Sequence, residues 1–507
     1  MVRRFASVAA GALLLSATPA AAAVYSVGAR TEAQAYQFRS WQGRAFDDPE
    51  KLSRYQISQY LDLGAFDLLS SAGRGSRLDF VTYMRLENDF GFDEWEQNRL
   101  DEAEQPAFHL LYAYLHWQGV AGGLLDFKLG RQIRYDQLEF FSFDGLDVHV
   151  HTPAFFGIGF FGGWQVKGTS IAGSDTFQPD GVRVSDRRRI AAGVTTDLLY
   201  DPASNIAYDY LDEPSPIFGG RIQLENVKDV EALVVYRRSM SKTTGANLEA
   251  LPEEARGWQV DWEHLGAGAR VRLLERIWLS AAADRDMFRE RWAVLRAAAK
   301  ADVIEDRLSV TAEAQRWNPT FDADSIWNVF ATGPRDEFEL RADLLVGDFL
   351  VYGGPLLTLY HLDLRDAYAD TGGIVADGTS ALYGGLAGFS TRPGIPWRIA
   401  ADALYLGGPS GELGHADTLG RELWVSGVVG RTFRDRYGVD LRLNLANVSD
   451  PNAVGLQDLW SFGAAVIGRI VLSDEATVTV VIEENTNRVV TSDLRGYATL
   501  DLRTIFR

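Results

Sequence analysis

The segment Tyr437-Gly-Val-Asp-Leu-Arg-Leu-Asn-Leu445 decides the fold, because its apolar and polar residues alternate without interruption. Its odd-numbered positions are all aromatic or aliphatic, whereas the even-numbered ones include Asp440, Arg442 and Asn444. Side chains of a β-strand alternate between two faces, so the pattern predicts a strand with one apolar and one polar face. A tilted strand needs about 9–11 residues to cross a bilayer, so this segment is long enough to span a membrane.

The same two-residue period recurs along the chain, as in residues 77–87, 308–315, 338–344 and 476–483. Alternation also suits a soluble β-sandwich with one wet face. A sandwich, however, rarely needs so many strands. The number of segments therefore favours a membrane barrel.

The connections between these segments alternate in length. Short ones lie at 274–276, 304–306, 347–348, 434–435 and 473–475. Long polar ones lie at 91–106, 168–187, 318–336, 363–378 and 407–420. Outer-membrane barrels combine short periplasmic turns with long external loops. The sequence thus predicts an all-β fold, a transmembrane antiparallel up-and-down β-barrel of about 24 strands, within a range of about 18–26.

Three places interrupt the regular pattern. Pro355 lies inside a predicted strand, where it cannot donate to the ladder, so we expect a bulge or a break near 353–355. The apolar face changes sides near 266–268, which a glycine bulge would explain. Residues 206–211 form only a weak candidate strand.

Aromatic residues are expected at both edges of the apolar band. Trp397 and Tyr405 lie eight residues apart, as do Tyr352 and Tyr360. At about 2.5 Å of height per tilted residue, eight residues span about 20 Å, close to the separation of the two aromatic girdles. Both pairs are therefore predicted to face the lipid.

Residues 1–23 are predicted to be a cleaved signal peptide. Arg3 and Arg4 precede an apolar stretch, and Pro19 with the alanines at 20–23 offers cleavage positions. Residues 24–507 are predicted to form one barrel domain, with no apolar run of about 18 residues that would suggest a transmembrane helix. The final strand carries Leu500, Leu502 and Phe506 on one face, and resembles the strand that outer-membrane barrels present to their assembly machinery.

Composition excludes several classes of function. The formal net charge of −19 argues against a nucleic-acid partner. The absence of cysteine excludes thiol catalysis, zinc–thiolate sites and iron–sulfur ligation. No G-x-S-x-G elbow is present, and we predict neither an enzyme nor a cofactor. A lipid-facing serine hydrolase stays open as an alternative, because such triads are spatial rather than sequential.

Asp147, His149 and His151 alternate on one face of a predicted strand. Two imidazoles at this spacing can share a metal ion. A solvated ladder of polar lumen residues is the favoured interpretation, because the inner face of a wide barrel must be polar. No metal site is therefore predicted.

The alternation also identifies basic residues that should face the lumen. The pore-lining candidates are Arg85, Lys128, Arg221, Arg237, Arg341 and Arg442. Acidic residues such as Asp79, Glu313 and Asp440 share that face, so charges of opposite sign on neighbouring strands should form transverse ladders. A selectivity filter would instead need one sign concentrated at a constriction.

One stretch carries a more particular likeness. Gly130-Arg131-Gln132 ends one predicted strand, and Phe143-Asp144-Gly145 opens the next. This arrangement resembles the alginate-export-like porins of the outer membrane. The resemblance implies a passive channel in which Arg131 and Asp144 are pore-rim residues, with the aspartate within reach of the arginine.

The predicted function is an outer-membrane channel for passive passage or export of polysaccharide or small charged solutes. A barrel-embedded enzyme that modifies lipid or lipopolysaccharide is one alternative, and a closed structural scaffold is another. The expected partners are outer-membrane lipid and lipopolysaccharide, the assembly machinery and the transported solute. The acidic residues within 93–104 could hold divalent ions that bridge lipopolysaccharide, or could simply form a solvated loop.

Overall fold

The structure, a computed structural model, describes residues 23–40, 50–69, 75–90, 107–166, 215–243, 257–318, 334–363, 377–391, 396–408, 421–449, 459–487 and 492–506. Residues 1–22 of the predicted signal peptide and the acidic segment 93–104 lie outside these residues, as does the weak candidate strand at 206–211. No helix among the described residues is long and apolar enough to cross a membrane.

The described residues form 22 strands and one helical turn. The first eleven strands are β1 Val24–Ser40, β2 Glu50–Phe66, β3 Arg77–Asp89, β4 Ala107–Gly119, β5 Leu125–Asp136, β6 Glu139–His151, β7 Phe156–Gln165, β8 Pro216–Leu224, β9 Val230–Thr243, β10 Gly257–Leu273 and β11 Ile277–Asp286. The others are β12 Arg291–Ile304, β13 Leu308–Trp317, β14 Arg335–Val346, β15 Phe349–Asp363, β16 Asp377–Thr391, β17 Trp397–Gly407, β18 Arg421–Phe433, β19 Tyr437–Ser449, β20 Leu459–Ser473, β21 Ala476–Asn487 and β22 Asp493–Phe506. The helical turn α1, Val120–Gly123, joins β4 to β5.

Each strand pairs antiparallel with its neighbour in the chain, and the sheet closes on itself. Tyr25 of β1 stands opposite Ala65 of β2 on one side and opposite Phe506 of β22 on the other. The barrel therefore has 22 described strands rather than the predicted number of about 24, within the range expected for this class.

The outer face of the barrel is apolar and uncovered. On β19, Val439, Leu441 and Leu443 are 50%, 42% and 43% exposed, whereas Asp440 and Arg442 project from the opposite face. A closed barrel leaves no backbone edge unpaired, which is the condition for a sheet to lie in hydrocarbon. The protein is an integral β-barrel of the outer membrane.

The two ends of the barrel differ in the length of their connections. The turns 274–276, 305–307, 347–348, 434–436 and 474–475 lie at the end where β1 begins and β22 ends. Short turns characterise the periplasmic end of such barrels, so this end faces the periplasm. The long connections predicted from the sequence fall at the opposite end, and most of their residues lie outside the described ranges.

The aromatic prediction is right for one pair and wrong for the other. Trp397 and Tyr405 are exposed on the outer face. Tyr352 instead shares a face with Asp343 and lies with its ring centre 4.2 Å from the guanidinium carbon of Arg341. Tyr352 and Tyr360 therefore face the lumen. The prediction failed because β15 is apolar on both faces, so alternation does not orient it.

One of the two predicted irregularities is confirmed, and the other lies at a different place. Around Pro355, the ladder between β14 and β15 omits two pairs but resumes in the same register, so it is a break and not a bulge. On β10 the register shifts between Val260 and Trp262 rather than at 266–268, so the predicted glycine bulge was misplaced. This shift turns Trp262 into the lumen, where its side chain is buried.

Candidate functional site

The β5–β6 hairpin separates from the barrel wall partway along its length. The pairing of β5 with β4 ends at Arg131, opposite Ala113. The pairing of β6 with β7 ends at Phe143, opposite Gln165. Beyond these points, apart from one backbone hydrogen bond that Val166 donates to Ser142, β5 and β6 pair only with each other, as far as the turn at 137–138. The tip of the hairpin is therefore free to leave the plane of the wall.

Glycines stand in register where the hairpin leaves the wall. Gly130 of β5 lies opposite Gly145 of β6, which lies opposite Gly163 of β7. Gly130 has φ +127°, a conformation that L side chains rarely adopt. A Cβ at Gly145 would lie 2.1 Å from the carbonyl oxygen of Gly162. The strands can approach and bend here only because these positions lack side chains.

The tip of the hairpin contacts the inner face of the barrel at β9 and β10, which are three and four strands away from β6. Leu138 is fully buried in a cluster with Val235 of β9 and Trp262 of β10. Nη2 of Arg237 donates a hydrogen bond to the Leu138 carbonyl oxygen at 2.9 Å. Val235 and Arg237 point inward, since both are buried while the side chain of Val234, which precedes Val235, is exposed on the outer face. The hairpin therefore crosses the lumen side of β7 and β8.

Aromatic side chains fill the space between the hairpin and the wall. Phe141 and Phe143 of the hairpin form a buried cluster with Phe161 of β7 and Ile217 of β8. Burying one such side chain contributes about 1.5–3 kcal/mol. The guanidinium carbon of Arg237 lies 4.2 Å from the ring centre of Phe141 and 4.0 Å from that of Trp262. We call this set of contacts, together with Leu138, the latch.

A second buried arginine ties the hairpin to the wall below it. Nη1 of Arg134 lies 3.3 Å from Oδ2 of Asp147, and its guanidinium carbon is 4.5 Å from the ring centre of Phe161. Both members of the ion pair are almost fully buried, so solvent screens their attraction little. Asp147 is thus engaged by Arg134, and it lies on the same inner face as His149 and His151, as the alternation predicts.

Arg131 and Asp144 stand opposite each other at the bend and form a two-pronged ion pair. Nε of Arg131 donates to Oδ1 of Asp144 at 2.8 Å, and Nη2 donates to Oδ2 at 2.7 Å. Nη1 donates to the Leu110 carbonyl oxygen of β4 at 2.9 Å, where β5 has left its neighbour. The arginine is 3% exposed. This geometry braces the bend, and a role of the pair at the pore rim stays a prediction.

The structure places the six pore-lining candidates on the inner face, in different surroundings. Arg85 pairs with Glu87 at 3.0 Å, and Arg341 pairs with Asp343 at 2.6 Å. Arg237 belongs to the latch, Lys128 and Arg221 line a polar pocket near the periplasmic end, and Arg442 lies on β19. Whether any of them controls the passage of solutes stays a prediction.

Ion pairs also cross from strand to strand on the inner face. Arg296 of β12 lies 2.7 Å from Glu313 of β13. Arg398 of β17 reaches across β18 to Asp440 of β19 at 3.0 Å. These contacts form the transverse ladders that the alternation of charges predicted. They also leave positive and negative charge interleaved along this part of the wall.

Sequence reasoning missed the latch. Leu138 lies in the connection between the strand that ends in Gly130-Arg131-Gln132 and the strand that Phe143 opens, and the apolar pattern that precedes 266–268 places Trp262 on the lipid face. A signal was nevertheless present. Arg131, Gln132 and Arg134 place polar residues on both faces of the predicted strand, which a strand between lipid and lumen does not tolerate.

No family model matches the chain, and no curated protein matches it, so the likeness to alginate-export-like porins stays a resemblance. Three solved structures are similar in overall shape. OpdK of Pseudomonas aeruginosa with vanillate has 10% identity and a TM-score of 0.41, covering 96% of this chain and 99% of that chain. A BenF-like porin from Pseudomonas fluorescens Pf-5 has 10% identity and a TM-score of 0.42, with 96% and 99% covered. OccAB4 of Acinetobacter baumannii has 8% identity and a TM-score of 0.40, with 96% and 98% covered. Likeness at this level carries no argument about function, which rests on the barrel itself.

Proposed function

We propose that the protein is a passive channel of the outer membrane, narrowed on one side by the inward-folded β5–β6 hairpin. The closed 22-strand barrel with a charged inner face supports this function. Barrels of about 16–18 strands already enclose an aqueous channel, so a wall of this size encloses a larger space. Among the residues that the structure describes, the hairpin is the one segment that occupies the lumen, and it lies in front of β7–β10.

The transported class that fits this wall is small polar or charged solutes. Charges of both signs line the described inner face, and pairs such as Arg296–Glu313 and Arg398–Asp440 neutralise each other locally. A strongly selective filter needs a concentration of one sign at the constriction. The latch contributes a buried arginine and aromatic rings instead. We therefore expect weak charge selectivity and an upper limit on the size of the solutes that pass.

Liposome swelling tests this function directly. Proteoliposomes containing the folded barrel are transferred into isosmotic solutions of sugars and of charged amino acids of increasing size. Small solutes should enter quickly and larger ones progressively more slowly, while liposomes with heat-unfolded protein should show no entry. Entry rates equal to those of the unfolded control for every solute would contradict a channel.

Passage of an extended polysaccharide is the second candidate, and the resemblance at Gly130-Arg131-Gln132 and Phe143-Asp144-Gly145 favours it. A threaded chain interrupts ion current for a time that grows with its length and depends on the sign of the voltage. Acidic oligosaccharides of defined length, added to one side of a single channel, should then produce such interruptions. Unchanged current at every length would restrict the channel to small solutes.

A further inference from the structure

Two histidines and a carboxylate converge on the inner face near the periplasmic end of the barrel. His149 and His151 lie two residues apart on β6, and Glu225 directly follows β8. Nε2 of His149 lies 2.6 Å from Oε1 of Glu225, and Nδ1 of His151 lies 3.0 Å from Oε2. One donor atom from each of the three residues lies within 4.8 Å of the other two. Side chains from two non-adjacent strands thus meet at one point.

A glycine on the intervening strand makes this meeting possible. Gly157 of β7 stands between His151 of β6 and Gln223 of β8 in the register of the sheet. A Cβ at this position would lie 2.3 Å from Oε1 of Glu225 and 2.6 Å from Nε2 of His149. The space between the three donor groups therefore exists because residue 157 has no side chain.

A second carboxylate contacts the ring nitrogen of His151 that points away from Glu225. Nε2 of His151 lies 2.9 Å from Oδ2 of Asp126. Asp126 is fixed in turn, because its Oδ1 accepts a hydrogen bond from the backbone N–H of Gly119 at 2.8 Å. Histidines that bind a metal through one nitrogen almost always donate the N–H of the other nitrogen to such a partner. Asp126 fixes the ring of His151 in that way, with Nδ1 turned to the centre of the cluster.

We propose that this cluster binds one divalent transition-metal ion of the Zn²⁺ type. The ligands are Nε2 of His149, Nδ1 of His151 and the carboxylate of Glu225. Two imidazoles and one carboxylate form a known zinc ligand set, in which water completes the tetrahedral coordination. Binding displaces the protons that the imidazoles share with Glu225, and the ion then connects β6 to β8 across the glycine of β7.

The charges around the cluster balance while the imidazoles are neutral. The adjoining pocket, of about 210 Å³, is lined by Asp126, Asp147, Lys128 and Arg221 among others. Asp126, Asp147 and Glu225 carry three negative charges, and Lys128, Arg221 and the Arg134 that pairs with Asp147 carry three positive ones. Arg221 opposes binding, because its Nη2 lies 3.5 Å from Nδ1 of His149. Binding of a divalent ion therefore depends on the three converging ligands and on Asp126, and not on a surplus of negative charge.

The alternative is that the cluster is only a set of histidine–carboxylate hydrogen bonds. His361 provides the matched control, since its Nε2 lies 2.8 Å from Oδ2 of Asp336 on the outer face of β14 and β15, away from the cluster. Among the described residues, His149, His151 and Glu225 are the one group that offers three converging metal ligands. A His361→Gln variant therefore removes a similar hydrogen bond without removing a proposed ligand.

The test is calorimetric titration of Zn²⁺ into tag-free, EDTA-treated, folded barrel in detergent, with Co²⁺ absorption as a second readout. The parent and His361→Gln should bind one ion per chain with equal affinity. His149→Gln and Glu225→Gln should weaken binding at least about 10-fold, since each removes a ligand, and Asp126→Asn about 10–100-fold. Gly157→Ala keeps every ligand but occupies their space, so it should also weaken binding.

Heat-modifiable migration on gels establishes that each variant is folded before titration. The proposal is overturned if the parent binds no stoichiometric Zn²⁺. It is equally overturned if the folded His149→Gln and Glu225→Gln variants bind Zn²⁺ as the parent does. Neither result depends on whether the barrel conducts solutes, so the metal site and the channel function are tested separately.

Discussion

Replacing Leu138 with alanine should loosen the latch that holds the β5–β6 hairpin against the inner wall. Leu138 is 0% exposed and packs against Val235 and Trp262. The substitution removes most of this packing but keeps the backbone carbonyl that accepts the hydrogen bond from Arg237. We expect the hairpin to open more often while the rest of the barrel stays folded.

The magnitude follows from the burial of the side chain. Leucine-to-alanine substitutions at fully buried sites cost about 2–5 kcal/mol. If about 3 kcal/mol of this cost destabilises the closed position of the hairpin relative to the open one, the fraction of molecules with an open hairpin rises about 100-fold. A difference of about 1.4 kcal/mol corresponds to a factor of ten. The bonds from Arg237 and Arg134 still favour the closed position, so we expect frequent opening rather than permanent release.

The absence of native cysteine makes this opening measurable with a single introduced thiol. Val235→Cys places the thiol beneath the latch, where a water-soluble maleimide reaches it only when the hairpin opens. Leu138→Ala in this background should raise the labelling rate by about two orders of magnitude. Leu146→Ala is the matched control, because Leu146 lies on the outer face of β6 and is exposed.

Equal labelling rates in the Leu138→Ala and parent backgrounds would refute this reasoning, because the thiol would not be covered by the latch. Fast labelling in the parent would do the same. Equal acceleration by Leu146→Ala would show that any loss of apolar surface on β6 loosens the wall, independently of the contacts of Leu138.

Three further predictions concern the bend, the wall and the closing strand. Arg131→Glu should lower the thermal stability of the barrel and leave the reversal potential almost unchanged, because the guanidinium is buried against Asp144. Adding Asp144→Arg to this variant should restore part of the stability. A large shift of the reversal potential toward cation selectivity would instead assign Arg131 to the pore. Single cysteines through 437–445 should react with lipid-soluble probes at odd positions and with aqueous probes at even ones, and labelling without alternation would contradict the strand. Phe506→Ala should reduce the heat-modifiable protein in the outer membrane, because Phe506 lies at the β1–β22 seam, and normal assembly would place the signal elsewhere.

Alternation alone predicts the wall well where the two faces differ in chemistry. On β19 every odd residue from Tyr437 to Leu445 is apolar, so only one orientation of the strand is compatible with lipid. On β15 both Val351 and Tyr352 suit a lipid face, and the sequence gives no reason to choose between them. Contacts with Arg341 and Asp343 on the neighbouring strand orient β15, and those depend on register.

The bend of the β5–β6 hairpin illustrates the limit of local reasoning. The sequence places Arg131 and Asp144 close together, since they flank a short hairpin, and the structure pairs them at 2.7 Å. The contact of Leu138 with Val235 joins residues almost 100 positions apart and depends on how far the hairpin protrudes beyond its neighbours. Periodicity within a strand contains no information about such a distance.

The histidine cluster also combines a local feature that the sequence predicts with a distant contact that only the fold determines. The spacing of His149 and His151 reveals that two imidazoles share a face, which is a local property of β6. Glu225 completes the cluster from a position 74 residues beyond His151 in the chain. Only the register of three strands, with Gly157 between them, brings this carboxylate to the imidazoles.

Single-channel conductance in planar bilayers tests most directly whether the barrel is a pore narrowed by its own hairpin. The parent protein should insert with discrete, reproducible current steps. Leu138→Asp places a charge where the latch is apolar, so the hairpin should be expelled from the wall and the current should show larger or strongly fluctuating steps. An electrically silent parent would contradict the channel, and identical steps in the folded Leu138→Asp variant would contradict the narrowing by the hairpin.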